Sequence, residues 1–186
     1  MATRPWNQGC FGVNVQGMKK ITNIILLALA VTVPALASQP AHAACTDPAR
    51  PGTDWGRCYF NERSFKGVDL SGAHLRDARF IRADLSGANM AKVDAHRTRF
   101  ISAIVSGVNF DGGRLTEADF TKADLRKSTF RKTNLRRARF IRANMRGVDL
   151  TGARLTGADL LNADLSGATW IDGKTICAEG SLGQCN

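Results

Sequence analysis

Residues 80–90 read Phe80-Ile81-Arg82-Ala83-Asp84-Leu85-Ser86-Gly87-Ala88-Asn89-Met90, with a bulky apolar residue at every fifth position and a small one two places before it. The register extends in both directions. Every fifth residue from Phe60 to Trp170 is apolar, giving 23 consecutive centres without an insertion: ten Leu, eight Phe, two Met, and Val105, Ala95 and Trp170. Two residues before each centre stands Ala in thirteen units and Val in four, the others being Cys58, Arg63, Thr98, Gly113, Ser128 and Thr133. The residue between is Asp or Asn in twelve units, and Gly follows two places after the centre in nine.

A period of five suits neither regular element. On a helix, five steps of about 100° turn each centre away from the last, so no apolar face forms. On a straight strand an odd period sends successive centres to opposite faces. The pattern works when each unit is a very short strand, with the small residue and the centre both pointing inward, followed by a corner. A chain that turns inward at every unit makes a coil.

The A(D/N)Lxx pattern, as in Ala83-Asp84-Leu85 and Ala163-Asp164-Leu165, resembles that of pentapeptide repeat proteins across residues 60–170. The resemblance implies an all-β fold, a right-handed quadrilateral β-helix with four pentapeptides per coil. Twenty-three units then make about 5–6 coils, roughly 27 Å tall at a strand spacing of ~4.8 Å. Spacing by twenty supports this independently. Phe60, Phe80, Phe100, Phe120 and Phe140, followed by Leu160, would form one interior column. Three departures mark expected irregularities: Arg63 in an inward slot, which places the start of regular coiling near Ser64, the truncated centre Ala95, and Gly112-Gly113.

Outside the repeat, residues 1–43 read as an export signal. Met18-Lys19-Lys20 is a positive start, residues 21–37 form an apolar core, and Ala41-His42-Ala43 offers a small-x-small cleavage pattern, with Met18 the better initiator. Export implies a periplasmic or secreted bacterial protein. Cleavage after Ala43 leaves 143 of the 186 residues and 23 of the 26 basic side chains beside all 16 acidic ones, so the basic bias persists. It also discards Cys10, leaving Cys45, Cys58, Cys177 and Cys185 in an oxidising compartment. Three pairings are formally possible, and proximity in sequence favours Cys45 with Cys58 and Cys177 with Cys185. Residues 44–59 and 171–186 are expected to cap the open ends of the coil, with Trp55 and Tyr59 as plugs.

The chain offers few parts for catalysis, and no enzymatic activity, cofactor or metal is expected. His74 and His96 fall in different columns, and no Ser or Cys stands with a His and an acid in a recognisable motif. The Asp and Asn beside the small position read as turn formers that bond nearby amides. Asp77, Arg97, Glu117 and Arg137, spaced by twenty with alternating sign, read as a ladder of ion pairs. Between Asp124 and Asp149 lie nine basic residues and no acid: Arg126, Lys127, Arg131, Lys132, Arg136, Arg137, Arg139, Arg142 and Arg146. This belt is a candidate site for an anionic surface. Ile81, Ile101, Ile141 and Leu161, with Ile104 nearby, make an outward aliphatic column with a basic rim, a candidate face for a protein partner or self-association. Nucleic acid is not expected, because no outward aromatics interleave the belt arginines. Some members of the resembled family imitate DNA in shape and charge, a role that needs an acidic surface. The expectation is therefore an exported, non-enzymatic scaffold or protein-binding module of the cell envelope. The alternative is a binder of anionic envelope polymers or membrane surface through the belt.

Overall fold

The computed structural model describes residues 45–186, which lie in the compact unit Gln39–Asn186. The expected signal region, its Met18 start and its cleavage site lie outside the described residues. Parallel β-bridges join residues twenty apart throughout, from Asp54 with His74 to Asp149 with Thr169. They form four ladders, begun at Asp54, Tyr59, Ser64 and Asp69, so one coil is four rungs of five residues.

Why five residues suffice for a rung follows from the amides of residues 85–89. Leu85 N donates to Ile104 O at 2.8 Å, Gly87 N to Ser106 O at 2.9 Å, and Asn89 N to Val68 O at 2.9 Å, three bonds to the coils on either side. Ala88 N closes a turn on Leu85 O at 2.9 Å. Ser86 N, the fifth donor, is taken by Asp84 Oδ1 at 3.0 Å. This rung thereby satisfies all five donors, as a backbone shielded from water requires.

The turn explains the glycines. At 23 successive turns, following the residues from Trp55 to Leu165, the residue two after the centre, from Arg57 to Gly167, has positive φ, and its predecessor does not. That is the dihedral signature of a type II turn, in which Gly carries no penalty. Nine of these positions are Gly, and fourteen carry a side chain into the left-handed region.

Inside, the small residue and the centre are buried together in most units, with Arg63 exposed and Phe65, Val68, Leu155, Ala158, Leu160 and Trp170 only half-buried toward the ends, and the core is one continuous cluster. The expected phenylalanine column is present. Phe80, Phe100, Phe120 and Phe140 stack at centroid distances of 4.8–5.4 Å with nearly parallel planes. A second column, Phe110 on Phe130 at 4.8 Å, meets it edge-on at 5.9–6.2 Å. Parallel stacking within a column and edge contact between columns are both favoured aromatic arrangements.

The expected irregularities fall elsewhere. Coiling starts before Arg63, since Gly52 N already bonds Ser71 O and Trp55 N bonds His74 O. Arg63 sits at the start of its column and escapes to solvent, its guanidinium 6.0 Å from the Phe60 centroid. The turns at Ala95 and Gly113 are regular, closed by Thr98 N on Ala95 O at 3.2 Å and Gly113 N on Phe110 O at 3.0 Å. Gly113 is required by packing, because a Cβ there would stand 2.9 Å from both Leu115 Cδ1 and Phe110 O. The turn without its direct bond is instead Val105 to Val108, bridged by the Ser128 hydroxyl.

Disulfides Cys45–Cys58 and Cys177–Cys185 staple the two ends. Trp55 is buried at the N-terminal end, its indole nitrogen donating to Asp47 O. Tyr59 is not a plug. It occupies a bridge position, which faces outward, and is 63% exposed. After Trp170 the chain reverses and pairs antiparallel with the last rungs, Ile176 against Thr169 and Leu182 against Asp164. This cap covers the rungs around Leu165, while Leu155 and Leu160 remain only half-buried.

Candidate binding surface

Side chains at the three outward positions stand in columns one coil, about 4.8 Å, apart. The twelve bridge-position carboxylates and amides belong mainly to the backbone. Eleven accept from the amide two residues on, as Asp119 does from Thr121 N at 3.0 Å and Asp159 from Leu161 N at 3.0 Å. Asp94 is the exception. Its Oδ2 is drawn to Arg76 Nε at 2.7 Å, and its buried Oδ1 has no partner. Among the described residues no group of His, Cys, Asp and Glu is placed to hold a metal ion. His96 Nδ1 lies 2.7 Å from Thr116 Oγ1, while His74 bridges Asp54 and Asp94 in another column.

The nine basic residues of the belt divide in two. Five are paired with acids, most of them outside the sequence interval: Arg126 with Asp124 at 2.6 Å, Arg131 with Asp149 at 2.6 Å, Arg137 with Glu117 at 4.0 Å, Arg139 with Asp119 at 3.7 Å, and Arg146 with Asp164 and Glu179 at 3.2 and 2.7 Å. Hydrogen bonding from Arg126 holds the Asp124 carboxyl below its usual range. Burial pushes the Asp149 carboxyl up, but bonds from Thr151 and Arg131 outweigh it and leave the group lowered. Glu179, and then Asp164, hold the Arg146 guanidinium more firmly protonated, which ties the cap to the coil. The remaining four, Lys127, Lys132, Arg136 and Arg142, have no acidic partner among the described residues. They follow four successive rungs, so they point from four different walls.

A different wall gathers charge. A groove of about 700 Å³ runs between the turn column headed by Arg57 and the bridge column headed by Tyr59. The proposed ion ladder is two separate pairs on its turn side, Arg97 with Asp77 at 3.4 Å and Arg137 with Glu117, with no bond between Arg97 and Glu117. On its bridge side Arg79 lies over the Tyr59 ring at 4.7 Å, and Arg79 pairs along the ladder with Arg99. Arg57, Arg79 and Arg99 form no ion pair among the described residues. Nothing in linear charge counting marked this groove; arranging the sequence in rows of twenty aligns its arginines.

The aliphatic column runs beside it. Ile81, Ile101 and Ile141 are half-buried, whereas Ile104 and Leu161 are 44% and 59% exposed. Thr121 interrupts the column by turning its hydroxyl to Asp119 Oδ1 at 2.6 Å. The cap leaves Leu161 uncovered.

Two sequence profiles match the coil. One, described as a pentapeptide repeat region, covers residues 53–140, and one of pentapeptide repeats finds eight copies over residues 133–169. Among solved structures, the chain is similar to a pentapeptide repeat protein from the thylakoid lumen of Arabidopsis thaliana, at 19% identity and TM-score 0.51, over 73% of this chain and 85% of that one. The fluoroquinolone resistance protein QnrB1 matches at 25% identity and TM-score 0.46, over 63% of each chain. HetL of the cyanobacterium Nostoc matches at 26% identity and TM-score 0.36, over 66% of this chain and 70% of that one. No curated protein matches the chain.

Proposed function

We propose that this chain, which belongs to the pentapeptide repeat family, works as an exported, non-catalytic scaffold that presents a fixed surface to a protein partner. The observation that carries the reading is the rung itself. Core residues, backbone bonds and the bridge-position Asp and Asn side chains hold the coil, and the other outward positions can build a surface of fixed spacing. Just under six coils of twenty residues supply that surface, counted from the 23 centres. Two disulfides at the ends fit an oxidising compartment, and no described helix is long and apolar enough to cross a membrane.

The partner face in this reading is the column Ile81, Ile101, Ile141 and Leu161 with Ile104. Half-buried and exposed aliphatics set on a rigid surface and rimmed by arginines have the composition of an interface core and rim. Photocrosslinking in cells from positions 101 and 141 tests it. Capture of a defined protein, abolished by Ile101→Asp with Ile141→Asp, is the expected result. Unchanged capture and unchanged sedimentation after both substitutions would refute the face.

The belt supports the anionic-surface reading less well. Its four unpaired cations lie on four walls, and a flat membrane meets one wall at a time. Binding to anionic vesicles that falls with salt and vanishes when Lys127, Lys132, Arg136 and Arg142 become Gln would reinstate that reading.

A further inference from the structure

The geometry points to the lower half of the arginine groove as the binding site for a short acidic segment of a partner protein, in which acidic residues alternate with aliphatic ones. This deepens the scaffold reading and rests on it.

Charge distribution locates the site. In the upper half of the groove Arg137 and Arg139 are neutralised by Glu117 and Asp119. In the lower half Arg57, Arg79 and Arg99 stand free within about two coils, or roughly 10 Å, a span matched by three residues of extended chain. Guanidinium groups recognise carboxylates in a fixed fork, and one pre-positioned on an aromatic ring loses less freedom on binding. The Tyr59 ring beneath Arg79 provides that support.

Composition argues for a peptide over a uniform polyanion. Asp77, Glu117 and Asp119 interrupt the arginines and repel a polymer charged at every repeat. Ile101 lines the groove, and Ile81 lies one coil away in its column. Side chains alternate along an extended segment, so acids can meet the arginine column while aliphatics meet the isoleucines.

Fluorescence anisotropy with the full-length chain and a labelled peptide alternating Glu and Leu tests the assignment. The peptide should bind with an affinity that falls with salt, and its Lys-for-Glu counterpart should not bind. Arg79→Gln with Arg99→Gln should weaken binding by about tenfold, since each exposed charge pair contributes up to ~1 kcal/mol. Lys127→Gln with Arg142→Gln should leave it unchanged, and circular dichroism should show all variants folded. Absence of binding, indifference to the groove substitutions, or preference for inorganic polyphosphate or anionic vesicles over the peptide overturns the proposal. A crosslinked partner whose binding ignores Arg79 and Arg99 would overturn it while leaving the scaffold reading intact.

Discussion

The Ser128 hydroxyl donates to the Val105 carbonyl oxygen at 2.6 Å, across one coil and one turn. It also accepts from Val108 N at 3.2 Å, so it sits inside a turn that lacks its own closing bond. Thr98 and Thr133 donate in the same way to Leu75 O and Phe110 O, but those carbonyls also hold their regular turn amides. Ser128→Ala should therefore cost about 1–3 kcal/mol, because it strands a buried donor and a buried acceptor. Ser128→Thr should be nearly neutral and Thr98→Val should cost less than Ser128→Ala. Urea unfolding of the three variants measures the order, and equal losses for Ser128→Ala and Thr98→Val would contradict it.

Glycines in this coil have two distinct reasons. Gly87 has positive φ and open space around its missing Cβ, so Gly87→Ala meets only backbone strain of about 1 kcal/mol. Gly113 has ordinary φ but no space, with Leu115 Cδ1 and the unyielding Phe110 carbonyl both 2.9 Å away. Gly113→Ala should cost more, about 1–3 kcal/mol. A melting temperature lowered further by the Gly87 substitution would reverse this assignment.

Phe120 is the junction of the two aromatic columns, stacked on Phe100 and Phe140 and edge-on to Phe110 and Phe130. Truncation to Ala should cost about 3–5 kcal/mol. Phe120→Leu keeps the more common centre residue and should lose markedly less. Differential scanning calorimetry distinguishes the two, and comparable losses would mean that ring contacts contribute little.

The C-terminal cap should be acid-sensitive at a defined place. Thr175 Oγ1, Lys174 N and Thr175 N all donate to Asp172, which lowers its pKa to about 2. A carboxyl depressed in the folded state stabilises fully above its unfolded pKa near 4 and loses that contribution as pH falls toward 2. Amide exchange at Lys174 and Thr175 should accelerate between pH 4 and 2, beyond the intrinsic pH dependence of exchange. In Asp172→Asn the acceleration should disappear. Loss of the effect in wild type would show that the loop is held by other contacts.

The repeat could be read from the sequence because its signal is interior: Phe80, Phe100 and Phe120 must stack if the coil closes at twenty. The carboxylate roles at Asp84 and Asp164 were legible for the same reason, since a turn amide needs a local acceptor. Tyr59 misled because its size suggested a plug, whereas its place in the five-residue register points it outward. The belt looked unneutralised because its counter-charges, Asp119 below Arg139 and Asp164 above Arg146, lie 18 or 20 residues away. The Ser128 bridge had no linear signal, because Ser at a small position looks like any substitute for Ala.

Backbone bonding at a separation of 19 or 21 residues makes the coil intolerant of most changes in length. Deleting one residue would exchange inward and outward side chains in every later unit. Removing five would preserve the core pattern but rotate all later columns by one wall, separating Arg79 from Arg99 if the cut fell between them. Removing twenty would take out one storey and leave every wall aligned, so the surface of such a protein can evolve in whole coils.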